Sequence, residues 1–170
     1  MKKNLIICFL LICFCANLSA QTITKNSLPK DLQEVRMNLQ MDFSQAVIFG
    51  MSEEDFAEYE KDWYHDKQSV ISKFKTGANI SLGKSSWIGN YKNALYTVKV
   101  IVNTITDEGF IICDVDIINK QGQVLFHIDH LTGGKEPSFS VGTKLARIKI
   151  WATLTGKEFG SILKSELSKK

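Results

Sequence analysis

Residues 110–131 read FIICDVDIINKQGQVLFHIDHL, and the predicted fold is built around this segment. Apolar and polar side chains alternate on both sides of a short loop that contains Gly122, a pattern typical of an antiparallel hairpin of half-buried strands. The predicted strands are Phe110–Ile118 and Gln123–His130. Matching their apolar faces predicts three cross-strand pairs: Ile117 with Val124, Val115 with Phe126, and Cys113 with Ile128. A slip of one residue would bury aspartates in the core.

Outside the hairpin, the periodicity predicts two further strands and two long helices. The strands are Val35–Phe43 and Asn93–Ile105, and the helices are Glu53–Lys75 and Ser138–Leu167. The resulting order is β-α-β-β-β-α. We therefore predict an α+β fold, an α/β sandwich in which an antiparallel or mixed sheet of about four strands carries two long helices.

The first twenty residues have the build of a secretory signal. Lys2 and Lys3 precede an apolar run, Leu5–Cys15, whose eleven residues are fewer than a membrane-spanning helix needs. We expect cleavage after Ala20, which would leave no stable membrane span and a periplasmic or secreted protein. The expected organisation is a signal peptide at 1–20, a flexible N-terminal arm at 21–30, and a single α+β domain at 31–170.

Removing this signal changes the composition that matters for function. The rest of the chain holds 19 basic and 18 acidic residues, for a net charge of +1, and Cys113 is its only cysteine. A nucleic-acid-binding domain would concentrate basic charge on one face, so we expect no nucleic-acid partner. With one cysteine no internal disulfide can form, and the fold must rest on its core.

The segment HIDH, residues 127–130, raises the question of a metal or catalytic site. The two-residue period of a strand places His127 and Asp129 on the outer face and His130 on the inner face, so the three side chains should not converge. In the register above, His127 lies opposite Asp114. We therefore assign no catalytic residue and no metal site, and keep His127, Asp129, His130 and Asp114 as the candidate ligands of an alternative function, a metal-dependent hydrolase.

A second motif resembles a cofactor-binding loop in sequence, but its predicted structural context does not fit one. Residues 78–85, ANISLGKS, come close to a phosphate-binding loop. Such a loop follows a strand and opens a helix, because helix amides and the helix dipole hold the phosphate. Here the sequence predicts a helix before the motif and a strand after it. We expect no nucleotide and no other cofactor.

The C-terminal helix offers a candidate contact surface. If the helix is unbroken, Ile150 and Leu154 project away from its main apolar stripe and, with Trp151, form an exposed partner-binding patch. Alternatively, Thr153, Thr155 and Gly156 break the helix and change its phase. Gly156 and Gly160 lie on the edge of the stripe, where they would let the helix approach the sheet closely.

Several short motifs resemble a family of small exported proteins of Bacteroidetes-type bacteria. They are Asp42-Phe43-Ser44, Ile48-Phe49-Gly50, Gly133-Gly134, Gly142 and Thr155-Gly156-Lys157-Glu158-Phe159-Gly160. The layout is also similar to the fold of the TolB amino-terminal domain and of the lipoproteins that activate penicillin-binding proteins. The resemblance implies a periplasmic protein-binding module without catalysis. The chain departs from the lipoprotein members because no cysteine is placed to carry a lipid.

The expected function is therefore an exported, non-catalytic binding or scaffolding module of the bacterial envelope. Its expected partner is an envelope protein or polymer. The metal-dependent hydrolase that uses His127, Asp129 and His130 is the alternative, and the absence of a recognisable catalytic constellation favours a role that is not enzymatic.

Overall fold

The computed structural model describes residues 21–83, 87–134 and 142–169, so the expected signal peptide lies outside the described residues. Within these ranges the chain forms eight strands and three α-helices. The strands are β1 Thr22–Asn26, β2 Arg36–Asp42, β3 Val47–Ile48, β4 Met51–Ser52, β5 Trp87–Gly89, β6 Tyr96–Ile105, β7 Ile111–Asn119 and β8 Val124–Leu131. The helices are α1 Glu53–Tyr59, α2 Trp63–Leu82 and α3 Lys144–Ser168, and a short 3-10 helix spans Lys30–Gln33. The predicted α+β class is confirmed, whereas the prediction of about four strands is wrong.

The described strands form one mixed sheet in the order β1-β8-β7-β6-β2-β5. β6, β7 and β8 make an antiparallel meander, and β2 runs parallel to both β6 and β5. β3 also runs parallel to β6, against its last two residues, and pairs with β4. Because β3, β4 and β5 have only two or three residues each, they are too short for an alternating pattern to reveal them.

The segment 21–30, expected to be a flexible arm, contains the edge strand β1. β1 pairs antiparallel with β8, and all five of its residues are exposed. Leu28, just beyond it, is 3 % exposed and belongs to the core. An edge strand that is exposed on both sides needs only backbone hydrogen bonds, so its sequence carries no apolar alternation.

The predicted helix Glu53–Lys75 is two helices in the structure. Ser52 caps α1, its Oγ accepting a hydrogen bond from the Asp55 amide, and the chain leaves the helix at Glu60 before α2 begins. This break brings the rings of Phe56 and Trp63 to a centroid distance of 5.2 Å. An unbroken helix would separate those two backbone positions by about 10.5 Å. With the break, the two rings pack edge to face in the core.

α3 is continuous through Gly156 and packs against α2. Thr143 caps it, and the predicted start at Ser138 lies outside the described residues. A Cβ at Gly156 would lie 2.1 Å from the carbonyl oxygen of Phe74, and a Cβ at Gly160 would lie 2.4 Å from that of Ala78. These glycines therefore allow close contact with α2, whereas the sequence analysis expected contact with the sheet. No helix in the described ranges is both long enough and apolar enough to cross a membrane.

The hairpin register differs by two residues from the predicted one. The structure pairs Ile117 with Phe126 and Val115 with Ile128. The predicted strands leave a four-residue loop, 119–122, whereas the observed loop has three residues: the Asn119 amide donates to the Gln123 carbonyl, and Gly122 adopts a φ of 77°. The shorter loop shifts the register by one residue, and an irregularity in the ladder between Ile117 and Ile118 adds the second. A three-residue loop that ends in a left-handed residue is a common hairpin connection. Since the shift is even, the predicted inner-face residues Val115, Ile117, Phe126 and Ile128 still face the core and are 0 % exposed, whereas Val124 is half-buried.

Candidate functional site

The two faces of the central sheet differ in what covers them. Inner-face side chains of β6, β7 and β8 are buried beneath α2 and α3, while those pointing the other way keep partial exposure. We call this second side the outer face. It is formed by Gln40 of β2, Lys99 and Ile101 of β6, Ile112, Asp114, Asp116 and Ile118 of β7, and His127 and Asp129 of β8.

His127 is held between two carboxylates on the outer face. Its Nδ1 lies 2.6 Å from Oδ1 of Asp116, and its Nε2 lies 2.8 Å from Oδ1 of Asp129. The sequence analysis paired His127 with Asp114, and the two-residue register shift replaces that partner with Asp116. Partial burial lowers the pKa of His127, but hydrogen bonds to Asp116 and Asp129 and their negative charges outweigh it, so the net pKa is raised.

His130 does not point to the inner face as predicted. An irregularity in the ladder between β7 and β8 pairs Leu131 with Cys113, and Leu131 takes the buried position at 0 % exposure. His130 is the displaced residue, exposed and with a φ of 53°. Such a bulge turns a side chain away from the face that strict alternation would give it.

The bulge brings together three side chains that the sequence analysis expected to stay apart. Asp114, Asp129 and His130 each offer one potential ligand atom, and these three atoms lie within 4.8 Å of one another. The backbone amide of His130 also donates to Oδ1 of Asp114 at 2.9 Å. We call these three residues the Asp-Asp-His cluster. His127 contacts the cluster through Asp129, but both of its ring nitrogens already face carboxylate oxygens.

Asp116 is the site residue that the sequence analysis missed. The signal that could have identified it is the segment Asn119–Gln123, because a glycine at its fourth position suits a three-residue loop with a left-handed final residue. That loop shifts the register by one residue, and an irregularity in the ladder between Ile117 and Ile118 adds the second shift that places Asp116 opposite His127.

The predicted partner-binding patch on α3 is not an exposed patch. Trp151 is 4 % exposed, and its ring stacks on Phe110 with a centroid distance of 3.8 Å. Leu154 is half-buried and packs against the core, and Ile150 alone of the three is exposed. Phe110 and Gly133 cover the side of α3 that the helical pattern left unpartnered.

Two other candidate motifs have structural roles. Residues 78–82 of the phosphate-loop-like motif form the last turns of α2, Gly83 ends that helix, and residues 84 and 85 lie outside the described ranges. Cys113 is fully buried, and burial raises the pKa of its thiol far above the usual range. A thiol held in this neutral form is a poor nucleophile.

Comparisons with known proteins assign no family. No family model matches the chain, and no curated protein matches it significantly. Among solved structures, the chain is similar to the PelC dodecamer from Paraburkholderia phytofirmans, with 13% identity, coverage of 84% of this chain and 99% of that chain, and a TM-score of 0.43. A dodecameric single-substitution variant of the same PelC gives 12% identity, coverage of 84% and 97%, and a TM-score of 0.43.

Proposed function

We propose that the protein is an exported, non-catalytic binding or scaffolding module of the bacterial envelope, and that the outer face of the sheet is its contact surface. The observation that carries this proposal is the unequal cover of the sheet. α2 and α3 bury the inner face, and the outer-face side chains keep access to solvent. A broad, open sheet face suits a macromolecular partner better than a small molecule, which would need a concave site.

The composition of the outer face indicates the character of the partner. Ile101, Ile112 and Ile118 are half-buried on this face and would lose further contact with water beneath a partner. Asp114 and Asp116 lie beside them on β7. The module would therefore bind an envelope protein or polymer that presents apolar groups together with basic ones.

Export is supported by the sequence of residues 1–20, where two lysines precede an uninterrupted apolar run. The test is to express the full chain in a Gram-negative host and determine the N-terminus of the protein in the periplasmic and extracellular fractions. We expect it to begin at Gln21. Protein that stays in the cytoplasm and begins at Met1 would contradict export.

Binding through the outer face can be tested by site-specific photocrosslinking in envelope preparations. A photoreactive residue at Ile101 should give one discrete adduct, and the same residue at Ile80, which is 61% exposed on α2, should not. Ile112→Asp should reduce the adduct formed from position 101. Equal adducts from both positions, or none from any outer-face position, would count against this surface.

The metal-dependent hydrolase is placed second. Its predicted residues were His127, Asp129 and His130, and the structure separates their roles. His127 is engaged by Asp116 and Asp129 through both ring nitrogens, so it offers no free nitrogen to an ion or a substrate. A hydrolase would also need groups that hold a substrate beside the ion.

A further inference from the structure

The Asp-Asp-His cluster joins two kinds of metal-binding group at one point on the sheet. Asp114 lies on β7, and Asp129 and His130 are neighbours on β8. Their ligand atoms lie within 4.8 Å of one another; Asp114 and Asp129 are half-buried, and His130 is exposed. Two carboxylates this close repel each other, and a divalent cation between them would remove that repulsion.

The two aspartates of the Asp-Asp-His cluster are positioned by hydrogen bonds from groups that would not themselves bind the ion. The His130 amide donates to Oδ1 of Asp114, which fixes that carboxylate beside the bulge. Nε2 of His127 lies 2.8 Å from Oδ1 of Asp129, and Asp116 holds the other side of the same imidazole. Protein metal sites commonly hold their ligating carboxylates with a second layer of this kind.

The ligand types indicate the class of ion. An imidazole with two carboxylates suits a divalent first-row transition metal such as Zn²⁺, whereas Mg²⁺ and Ca²⁺ favour oxygen ligands alone. Bonds of about 2.0–2.2 Å in tetrahedral geometry place ligand atoms about 3.3–3.6 Å apart. A pair of ligand atoms 4.8 Å apart would have to approach by roughly 1.2–1.5 Å, which small side-chain rotations supply. Three protein ligands leave the fourth position to water.

We propose that Asp114, Asp129 and His130 bind one divalent transition-metal ion of the Zn²⁺ class on the outer face, and that His127 and Asp116 position Asp129 for it. This site is independent of the envelope partner proposed above. The ion would lie at the end of β8, where β1 borders the sheet.

The test is isothermal titration of ZnCl₂ into the untagged, metal-free protein, because an affinity tag of histidines would itself bind zinc. We expect saturable binding of one ion per chain and no binding of MgCl₂ under the same conditions. At a zinc concentration about 100-fold above Kd, Tm should rise by about 5 to 10 °C. Co²⁺ in place of Zn²⁺ should give visible absorption bands that report the coordination.

Three variants assign the ligands. His130→Gly removes the imidazole and suits the positive φ of 53°, so the metal-free variant should fold at least as stably as the parent chain. His130→Gly and Asp129→Asn should each weaken zinc binding by at least about tenfold. His65→Ala, which removes an exposed histidine of α2, is the matched control and should bind zinc like the parent.

Two results would overturn the proposal. The first is the absence of saturable zinc binding by the folded parent protein. The second is binding that His130→Gly and Asp129→Asn leave unchanged, since the ion would then lie elsewhere on the chain.

Discussion

Nδ1 of His127 lies 2.6 Å from Oδ1 of Asp116, across the pair of strands β7 and β8. The imidazole also faces Asp129 on its own strand, and Lys25 is its cross-strand neighbour on β1. Burial of His127 opposes its protonation, but the two carboxylates dominate and raise its pKa above 6.5. The folded protein therefore binds this proton more tightly than the unfolded chain.

This relationship predicts a pH-dependent contribution to stability. Because the folded-state pKa is raised, the stabilisation should be complete below the unfolded value of about 6.5 and should be lost as pH rises through the higher folded value. Urea denaturation in chelator-treated buffer should show His127→Gln to be destabilising at pH 5.5, by about 1 kcal/mol, and less so at pH 9. A difference in unfolding free energy that does not change with pH would contradict this account.

Gly156 should be one of the least replaceable positions in the helix pair. A Cβ there would stand 2.1 Å from the carbonyl oxygen of Phe74, so α2 and α3 would have to move apart. We expect Gly156→Ala to lower the free energy of unfolding by about 3 kcal/mol, measured by urea denaturation. Ser161→Ala, at an exposed position on the same helix, should change it by less than about 0.5 kcal/mol. Similar values for the two variants would show that the helices do not pack this closely.

At Gly122 the left-handed backbone conformation can be tested alone, because a larger side chain there would cause no packing conflict. Its φ is 77°, and a Cβ added there would meet nothing within 4 Å. Gly122→Ala should therefore cost about 1 kcal/mol from the left-handed conformation alone. Gly122→Asn should cost less, because asparagine tolerates this region better. Equal stability of the parent and both variants in thermal melts would mean that the loop conformation differs.

Cys113 should be protected from thiol reagents while the protein is folded. It is fully buried, and burial raises its pKa far above the usual range, so the reactive thiolate is scarce. Reaction with a chromogenic disulfide at pH 8 should be slow in native buffer and fast in concentrated urea. Rapid labelling under native conditions would show that β7 and β8 open readily.

Much of the fold could be predicted from local pattern. Alternation in residues 110–131 identified the buried side chains Val115, Ile117, Phe126 and Ile128, all of which are 0 % exposed. The pattern did not reveal β1, since an exposed edge strand buries nothing that would impose a period. It also did not reveal that β2 lies between β6 and β5, because parallel pairing joins residues far apart in the chain.

The candidate site could also be predicted only in part from local pattern. The sequence analysis named Asp114, His127, Asp129 and His130, but placed His130 on the wrong face and gave His127 the wrong partner. The partner of His127 changes because a three-residue loop and an irregularity between Ile117 and Ile118 each shift the register by one residue, and His130 changes face because of a second irregularity between Cys113 and Val115. Neither changes which residues are apolar, so hydrophobic pattern alone could not detect them.

The α+β class and the inner faces of the strands around the hairpin follow from the amino-acid sequence alone, because burial of apolar side chains imposes a period that each element shows locally. Which polar groups meet on the outer face is set by the packing and pairing of the folded chain. Their meeting depends on backbone hydrogen bonds between strands, on the left-handed residues Gly122 and His130, and on the loop and the two ladder irregularities that together set the register. A shift of two residues preserves every apolar contact face and yet gives His127 a different carboxylate.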